Sequence, residues 1–257
     1  MPRVFLVGAG PGDPELLTLK AHRLIGQADV VLHDSLVGRR IIQIAGPAAL
    51  VIDVGKRCGQ HSATQTEINA LLCFHALAGG IVVRLKGGDP MVFGRANEEM
   101  AALDAAGIAY EIIPGVTAAT AAAAALKLSL TQRGVARAVH FLTGHGAEGG
   151  LPAHDWVALT RSGGTLAIYM GGQTAGGAAA HFIEAGMAPG MPAIAIENVS
   201  LPGQRSRRAT IATLPGSVAG MNPSGPVLVL IGEALRAENN DAGCHSHALL
   251  AMTTGAG

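Results

Sequence analysis

Aromatic residues are scarce in this chain of 257 residues: one tryptophan, two tyrosines and five phenylalanines. So few stacking platforms exclude single-stranded nucleic acid as a natural partner. Charge is also sparse, at 14% of residues with a net value of zero, so no global field draws the chain to nucleic acid or an anionic membrane. The three cysteines, Cys58, Cys73 and Cys244, form neither a pairable framework nor a metal-ligand spacing. No metal site is expected, and a reduced cytoplasmic setting fits. Residues Met1–Gly10 lack the charged and apolar regions of a secretory signal. The longest apolar stretch, Val116 to Leu126, is mostly alanine and too short to span a bilayer. What remains is a partner that is a small molecule.

Glycine, by contrast, is abundant at 36 residues, and apolar residues reach 49%. Tight loops and a substantial core both follow. Short β-branched runs predict strands at Val4–Val7, Val30–His33, Leu50–Val54, Ile81–Leu85 and Ala109–Ile113. Five more are expected at Ala138–Leu142, Thr165–Tyr169, Ala193–Glu197, Thr210–Ala212 and Val227–Ile231. Helical spacing marks Glu15–Gln27, Thr64–Ala78, Asn97–Ala106 and Ala175–Ala185. The alternation implies an α/β fold of two α/β domains, 1–115 with a largely parallel sheet and 116–236 with antiparallel pairing. The Ala-rich helix near 115–131 is read as their connector. Residues 237–257 are small and polar without periodicity and read as a disordered tail; His245 and His247 there are read as solvated.

Two glycine motifs carry chemistry. The first strand runs into Gly8-Ala9-Gly10-Pro11-Gly12-Asp13-Pro14, a nucleotide-crevice arrangement, and Asp34 ends the second strand where a ribose-binding acid often stands. A nicotinamide-dependent oxidoreductase is therefore the rival reading. The dinucleotide pattern needs a third glycine where Asp13 stands. Asp13 caps the expected helix, and Glu15 follows it, so two carboxylates occupy the place of a pyrophosphate. Such a site suits a cation, for example a sulfonium. The second motif is Arg84-Leu85-Lys86-Gly87-Gly88-Asp89-Pro90, with Phe93-Gly94-Arg95 behind it. Its glycines allow close approach of a ligand, Asp89 can accept from hydroxyls or an amine, and Arg84, Lys86 and Arg95 suit a polycarboxylate.

Together these segments resemble the tetrapyrrole methylase family. The resemblance extends over Gly55-Lys56-Arg57, Pro114-Gly115-Val116-Thr117-Ala118, Thr143-Gly144-His145, Tyr169-Met170-Gly171 and Gln204-Arg205. It implies a site in the cleft between two α/β domains, a homodimer, and S-adenosyl-L-methionine as methyl donor, leaving S-adenosyl-L-homocysteine. The acceptor it implies is uroporphyrinogen III, methylated at C2 and C7 to precorrin-2 on the way to sirohaem or cobalamin. Position by position, it implies cofactor contacts at Pro11, Gly87, Gly88, Asp89, Val92, Thr117, Ala118, Met170 and Val199. Substrate contacts fall on Arg95, Glu98, Arg133 and Met170, and the catalytic set on Asp34, Lys56 and Arg95.

Some positions depart from the family pattern. His33-Asp34-Ser35-Leu36 stands for Tyr-Asp-Arg-Leu, Met91 for phenylalanine, and Ala96-Asn97 for a glycine pair. Asp34 has two readings, a base that takes a proton from the macrocycle or a turn cap. Lys56 and Arg57 serve either proton donation or propionate anchoring. His22 reads as a surface histidine, His145 as lining the cleft or bonding across it, and Trp156 as a packing anchor. Methylation of a later corrin intermediate is the alternative within the same fold.

Overall fold

The structure is a computed structural model that describes residues 4–55, 63–146 and 149–236. Five strands form the first sheet: β1 (Val4–Gly8), β2 (Val30–His33), β3 (Leu50–Asp53), β4 (Val82–Lys86) and β5 (Tyr110–Ile113). Their order is β3-β2-β4-β1-β5, and every neighbouring pair is parallel. The inner strands β1, β2 and β4 are buried along their whole length, as a sheet covered on both faces requires. One face carries α1 (Leu19–Gly26) and α2 (Arg39–Ile42), where Leu24, Ile25 and Ile41 meet Val7, Val31 and Leu85. The other carries α3 (Gln65–Ala78) and α4 (Ala96–Ala105), where Leu72 and Leu103 meet Leu6 and Leu32.

The second sheet holds β6 (Val139–Thr143), β7 (Thr165–Tyr169), β8 (Pro192–Glu197), β9 (Arg205–Thr210) and β10 (Val227–Ile231). Its order is β6-β7-β10-β8-β9; β6 and β7 are parallel, and the rest pair antiparallel. Helices α6 (Trp156–Arg161), α7 (Ala175–Glu184) and α8 (Leu214–Met221) accompany it, and fully buried Phe182 centres that side with Leu166 and Val229. The Ala-rich α5 (Ala118–Leu126) lies on the opposite face, its Ala119 and Ala122 against Ala167, Ile194 and Leu228. Small side chains let this helix approach the sheet closely. No helix among the described residues is long and apolar enough to cross a membrane.

Three local expectations need correction. A single helix over Glu15–Gln27 is broken: a 3-10 turn at Pro14–Leu16 is capped by Asp13, Leu17 is extended, and Thr18 caps α1. Of the expected strand Thr210–Ala212 only Thr210 is in a strand, the end of β9 over Arg205–Thr210, and Ile211 and Ala212 form a turn. The short α2 and α6, and α8 with its Pro215 and Gly216, carry too little propensity to stand out by periodicity.

Candidate functional site

In an open parallel sheet the loops at the carboxyl ends of the strands form the ligand crevice. Here β1, β2 and β4 feed such loops, and backbone contact locks two of them together. Gly10 N donates to Gly88 O at 3.1 Å, and Gly88 N donates to Gly10 O at 2.7 Å. Glycine is required for close approach beneath this bridge. A Cβ on Gly8 would lie 2.6 Å from Gly115 N and 2.8 Å from Gly88 O. Gly12 serves packing as well, because a Cβ there would lie 2.3 Å from Leu201 of the loop after β8. Beside that contact, Asp13 N donates to Ser200 Oγ at 3.1 Å. Gly88 differs: its φ is +68° and no atom lies within 4 Å of the place a Cβ would take.

Between the two sheets these loops enclose a cavity of about 190 Å³. Pro11, Asp34, Gly87, Gly88, Asp89, Val92, Thr117, Ala118, Met170 and Val199 all line it. The structure therefore brings together every expected cofactor residue and Asp34. Arg95, Glu98 and Arg133 do not line it. Arg95 and Glu98, at the start of α4, form an exposed bidentate pair at 2.7 and 2.8 Å. That pairing holds the Glu98 carboxyl below its usual range. Arg133 lies exposed in the turn closed by Gln132 and Ala136. Lys56 and Arg57 lie outside the described residues, as do Cys58, Cys244, His245, His247 and the expected tail.

Two cations of the second motif have an unexpected arrangement. Arg84 and Lys86 do not offer themselves to a polycarboxylate; each is only 2% exposed. Buried Glu99 accepts from Arg84 Nε at 2.8 Å and from Lys86 Nζ at 2.9 Å. Arg84 Nη2 reaches Asp34 Oδ1 at 2.5 Å, so the Asp34 carboxylate faces a cation rather than capping its own turn. Burial opposes the Arg84 charge, but Asp34 and Glu99 outweigh it and raise its pKa. Burial and then the nearby Arg84 lower that of Lys86. The sequence shows these cations but not their partner, since Glu99 stands on a helix, 13 residues from Lys86.

Asp89 is held by its neighbours: Oδ1 accepts from Met91 N at 2.8 Å and Oδ2 from Gly115 N at 2.9 Å. Tyr169, which sequence reasoning did not single out, has a hydroxyl 2.6 Å from Thr117 Oγ1 and 3.2 Å from Ala119 N. Burial raises its pKa, so it stays protonated at neutral pH. His145 bonds within its own turn through Thr143, and Trp156 packs against His154, His181 and Phe182.

The cavity suits a ligand with positive charge. Asp34 and Asp89 both face it, while its one lining cation, Lys86, is engaged by Glu99. It does not suit a pyrophosphate. The first glycine loop leads to the 3-10 turn and an extended residue, so α1 does not begin at the loop as a pyrophosphate-binding helix would.

Comparison with known proteins agrees. Residues 3–215 match the model of the Tetrapyrrole (Corrin/Porphyrin) Methylases. The S-adenosyl-L-methionine-dependent uroporphyrinogen III methyltransferase of Arabidopsis thaliana chloroplasts is 45% identical over 90% of this chain and 63% of its own length. The siroheme synthase of Chromobacterium violaceum is 44% identical over 90% of this chain, which spans 49% of that protein. A uroporphyrin-III C-methyl transferase from Thermus thermophilus, solved with S-adenosyl homocysteine, superposes with a TM-score of 0.79 at 40% identity. That match covers 91% of this chain and 99% of the Thermus chain.

Proposed function

The chain belongs to the tetrapyrrole methylases, and from that premise we propose that it methylates uroporphyrinogen III at C2 and C7, giving precorrin-2. The observation that carries this reading is the convergence of Pro11, Gly87–Asp89, Val92, Thr117, Ala118, Met170 and Val199 on one cavity. S-adenosyl-L-methionine, when bound, supplies a methyl group on a positively charged sulfur. Gly88, open on its outer side, and Gly87 let that ligand lie against the backbone. Asp89, oriented by two backbone N–H groups, accepts from its hydroxyls or amine. Thr117 and Ala118, at the start of α5, close the opposite wall.

Asp34 is the base in this proposal. It stands at the carboxyl end of β2 and faces the cavity, and Arg84 fixes its carboxylate. Its task is to accept the proton that leaves the macrocycle after a ring carbon has taken the methyl group. Lys56 and Arg95 complete the expected catalytic set. Arg95, Glu98 and Arg133, outside the cavity, are placed to meet the charged periphery of a substrate larger than the cavity. Holding donor and acceptor in line is the main contribution to rate, since the donor is already strongly electrophilic. A homodimer in the cytoplasm, with the chain divided at about residue 115, belongs to the same proposal.

Anaerobic incubation with uroporphyrinogen III and S-adenosylmethionine, followed by mass analysis, tests it. Gain of two methyl groups is expected. No gain with uroporphyrinogen III but gain with a later precorrin would move the substrate while keeping the donor. No tight binding of S-adenosylhomocysteine would remove the donor assignment.

A further inference from the structure

Seven non-glycine residues among those described have positive φ. Lys127 and Asn222 terminate α5 and α8, where the left-handed conformation is ordinary. Arg95 begins α4. The other four surround the cavity: Phe93 and Met170 line it, and Asn198 and Ser200 flank its Val199. A bulky aromatic is the least suited of these to φ +54°. Strain of this kind persists where the surroundings enforce it, and it points to a use.

The surroundings of Phe93 are specific. Its ring centroid lies 5.1 Å from that of Tyr169, and Tyr169 lies 5.6 Å from Phe141 in an edge arrangement. Tyr169 is fixed by Thr117 and Ala119, so the row has a rigid middle. The row also crosses between units, since Phe93 follows β4 and the other two belong to β7 and β6. A chain with eight aromatic residues places three of them here. Yet Phe93 remains 43% exposed, and Leu36 and Met170, which line the same cavity, are exposed as well.

We propose that Phe93, braced by Tyr169, is the apolar surface on which one ring of the acceptor rests, at the exposed edge of the donor cavity. This rests on the acceptor being a tetrapyrrole, and it adds a substrate-positioning side chain to that reading. The ligand class is a multi-ring molecule with apolar faces and anionic arms. Its faces meet Phe93 and Met170, and its arms extend toward Arg95 and Arg133. Aromatic surface supplies large contact area with few side-chain torsions to immobilise.

The test uses Phe93→Gly and Phe93→Ala in the full chain. Glycine suits φ +54°, so Phe93→Gly is expected to melt at or above the temperature of Phe93→Ala. Both variants should raise KM for uroporphyrinogen III about tenfold, the loss of one aromatic contact. Phe93→Leu should recover part of this. The Kd for S-adenosylhomocysteine, measured by calorimetry, should change less than about twofold. Anaerobic equilibrium dialysis of uroporphyrinogen III with S-adenosylhomocysteine present gives acceptor affinity without turnover, and it should fall in parallel with KM.

Unchanged acceptor affinity in Phe93→Gly would overturn the assignment. So would an equal loss of S-adenosylhomocysteine affinity, which would place Phe93 on the donor side. If the wild type neither binds nor methylates uroporphyrinogen III but methylates a later precorrin, the substrate reading fails by itself. The Phe93 comparison is then decided with that precorrin.

Discussion

Each of the two sheets buries a carboxylate next to the loops that line the cavity, and each satisfies it differently. In the first, Glu99 is enclosed by the side-chain cations Arg84 and Lys86. In the second, Glu197 accepts from Ser224 N at 2.7 Å and Gly225 N at 2.8 Å, with Arg205 joining from the neighbouring strand β9. Glu197 thereby fixes the turn that leads to Pro226 and Val227 on the cavity wall. Glu197 fixes a loop and one edge-strand cation. A cation-paired acid fixes side chains, and one of those cations goes on to hold Asp34. Among the described residues, buried charge is concentrated on the parallel side, with Arg84, Lys86 and Glu99 there and Glu197 on the other.

Removing one partner from the first arrangement should have the largest effect. Glu99→Leu leaves Lys86 uncompensated and Arg84 with Asp34 alone, with an expected loss of about 3–5 kcal/mol in urea unfolding. Replacing all three, Arg84→Met, Lys86→Met and Glu99→Leu, should recover much of that stability but not methylation. A triple variant less stable than Glu99→Leu alone would show that the charges serve the fold rather than the site.

Glycine substitutions sharpen the contrast between packing and binding. Gly8→Ala forces a Cβ into the backbone of Gly115 and Gly88, with an expected cost of at least about 1–3 kcal/mol. Gly88→Ala meets no atom and should cost only the strain of its φ, about 1–2 kcal/mol. It should nevertheless weaken S-adenosylhomocysteine binding about tenfold or more, because the new methyl occupies the ligand's side. Thermal melts paired with calorimetry separate the two. Equal binding loss per unit of lost stability would sink the distinction.

Smaller effects lie away from the cavity. Thr64 caps α3 in a capping box with Glu67, and Thr64→Ala should cost about 1 kcal/mol with S-adenosylhomocysteine binding intact. Glu197 loses its contribution only in acid. The Gly225 N–H and Arg205 hold its folded pKa below the ordinary glutamate value. Its contribution is therefore complete above the unfolded pKa of about 4.3 and is lost as pH falls through the lower folded value. Urea midpoints from pH 6 to pH 3 should fall less steeply for Glu197→Gln than for the wild type.

Much of this architecture was legible in the residues. The buried strands β2, β7 and β10 declare themselves as apolar runs. Strand β9 does not, because Arg205-Ser206-Arg207-Arg208 forms an edge held by backbone pairing to β8 rather than by burial. The glycine motifs located the cavity, since backbone approach leaves a trace in residue type. Side-chain pairings across the fold leave none: nothing near Asp34 in sequence names Arg84, and nothing near Thr117 names Tyr169. The break before α1 was readable from Thr18, a good N-cap, but the apolar spacing across Leu16, Leu17 and Leu19 concealed it.

The bridge between Gly10 and Gly88 also bears on synthesis. The first glycine loop leaves the ribosome well before its cavity partners, which extend to Leu228. At about 5–20 residues per second, the loop waits roughly ten seconds to most of a minute for its last neighbours. No ligand can assist folding during that interval, because the pocket does not yet exist. Ligand capture is therefore a late event for this chain, and a nascent chain halted before β10 would emerge unable to hold its donor.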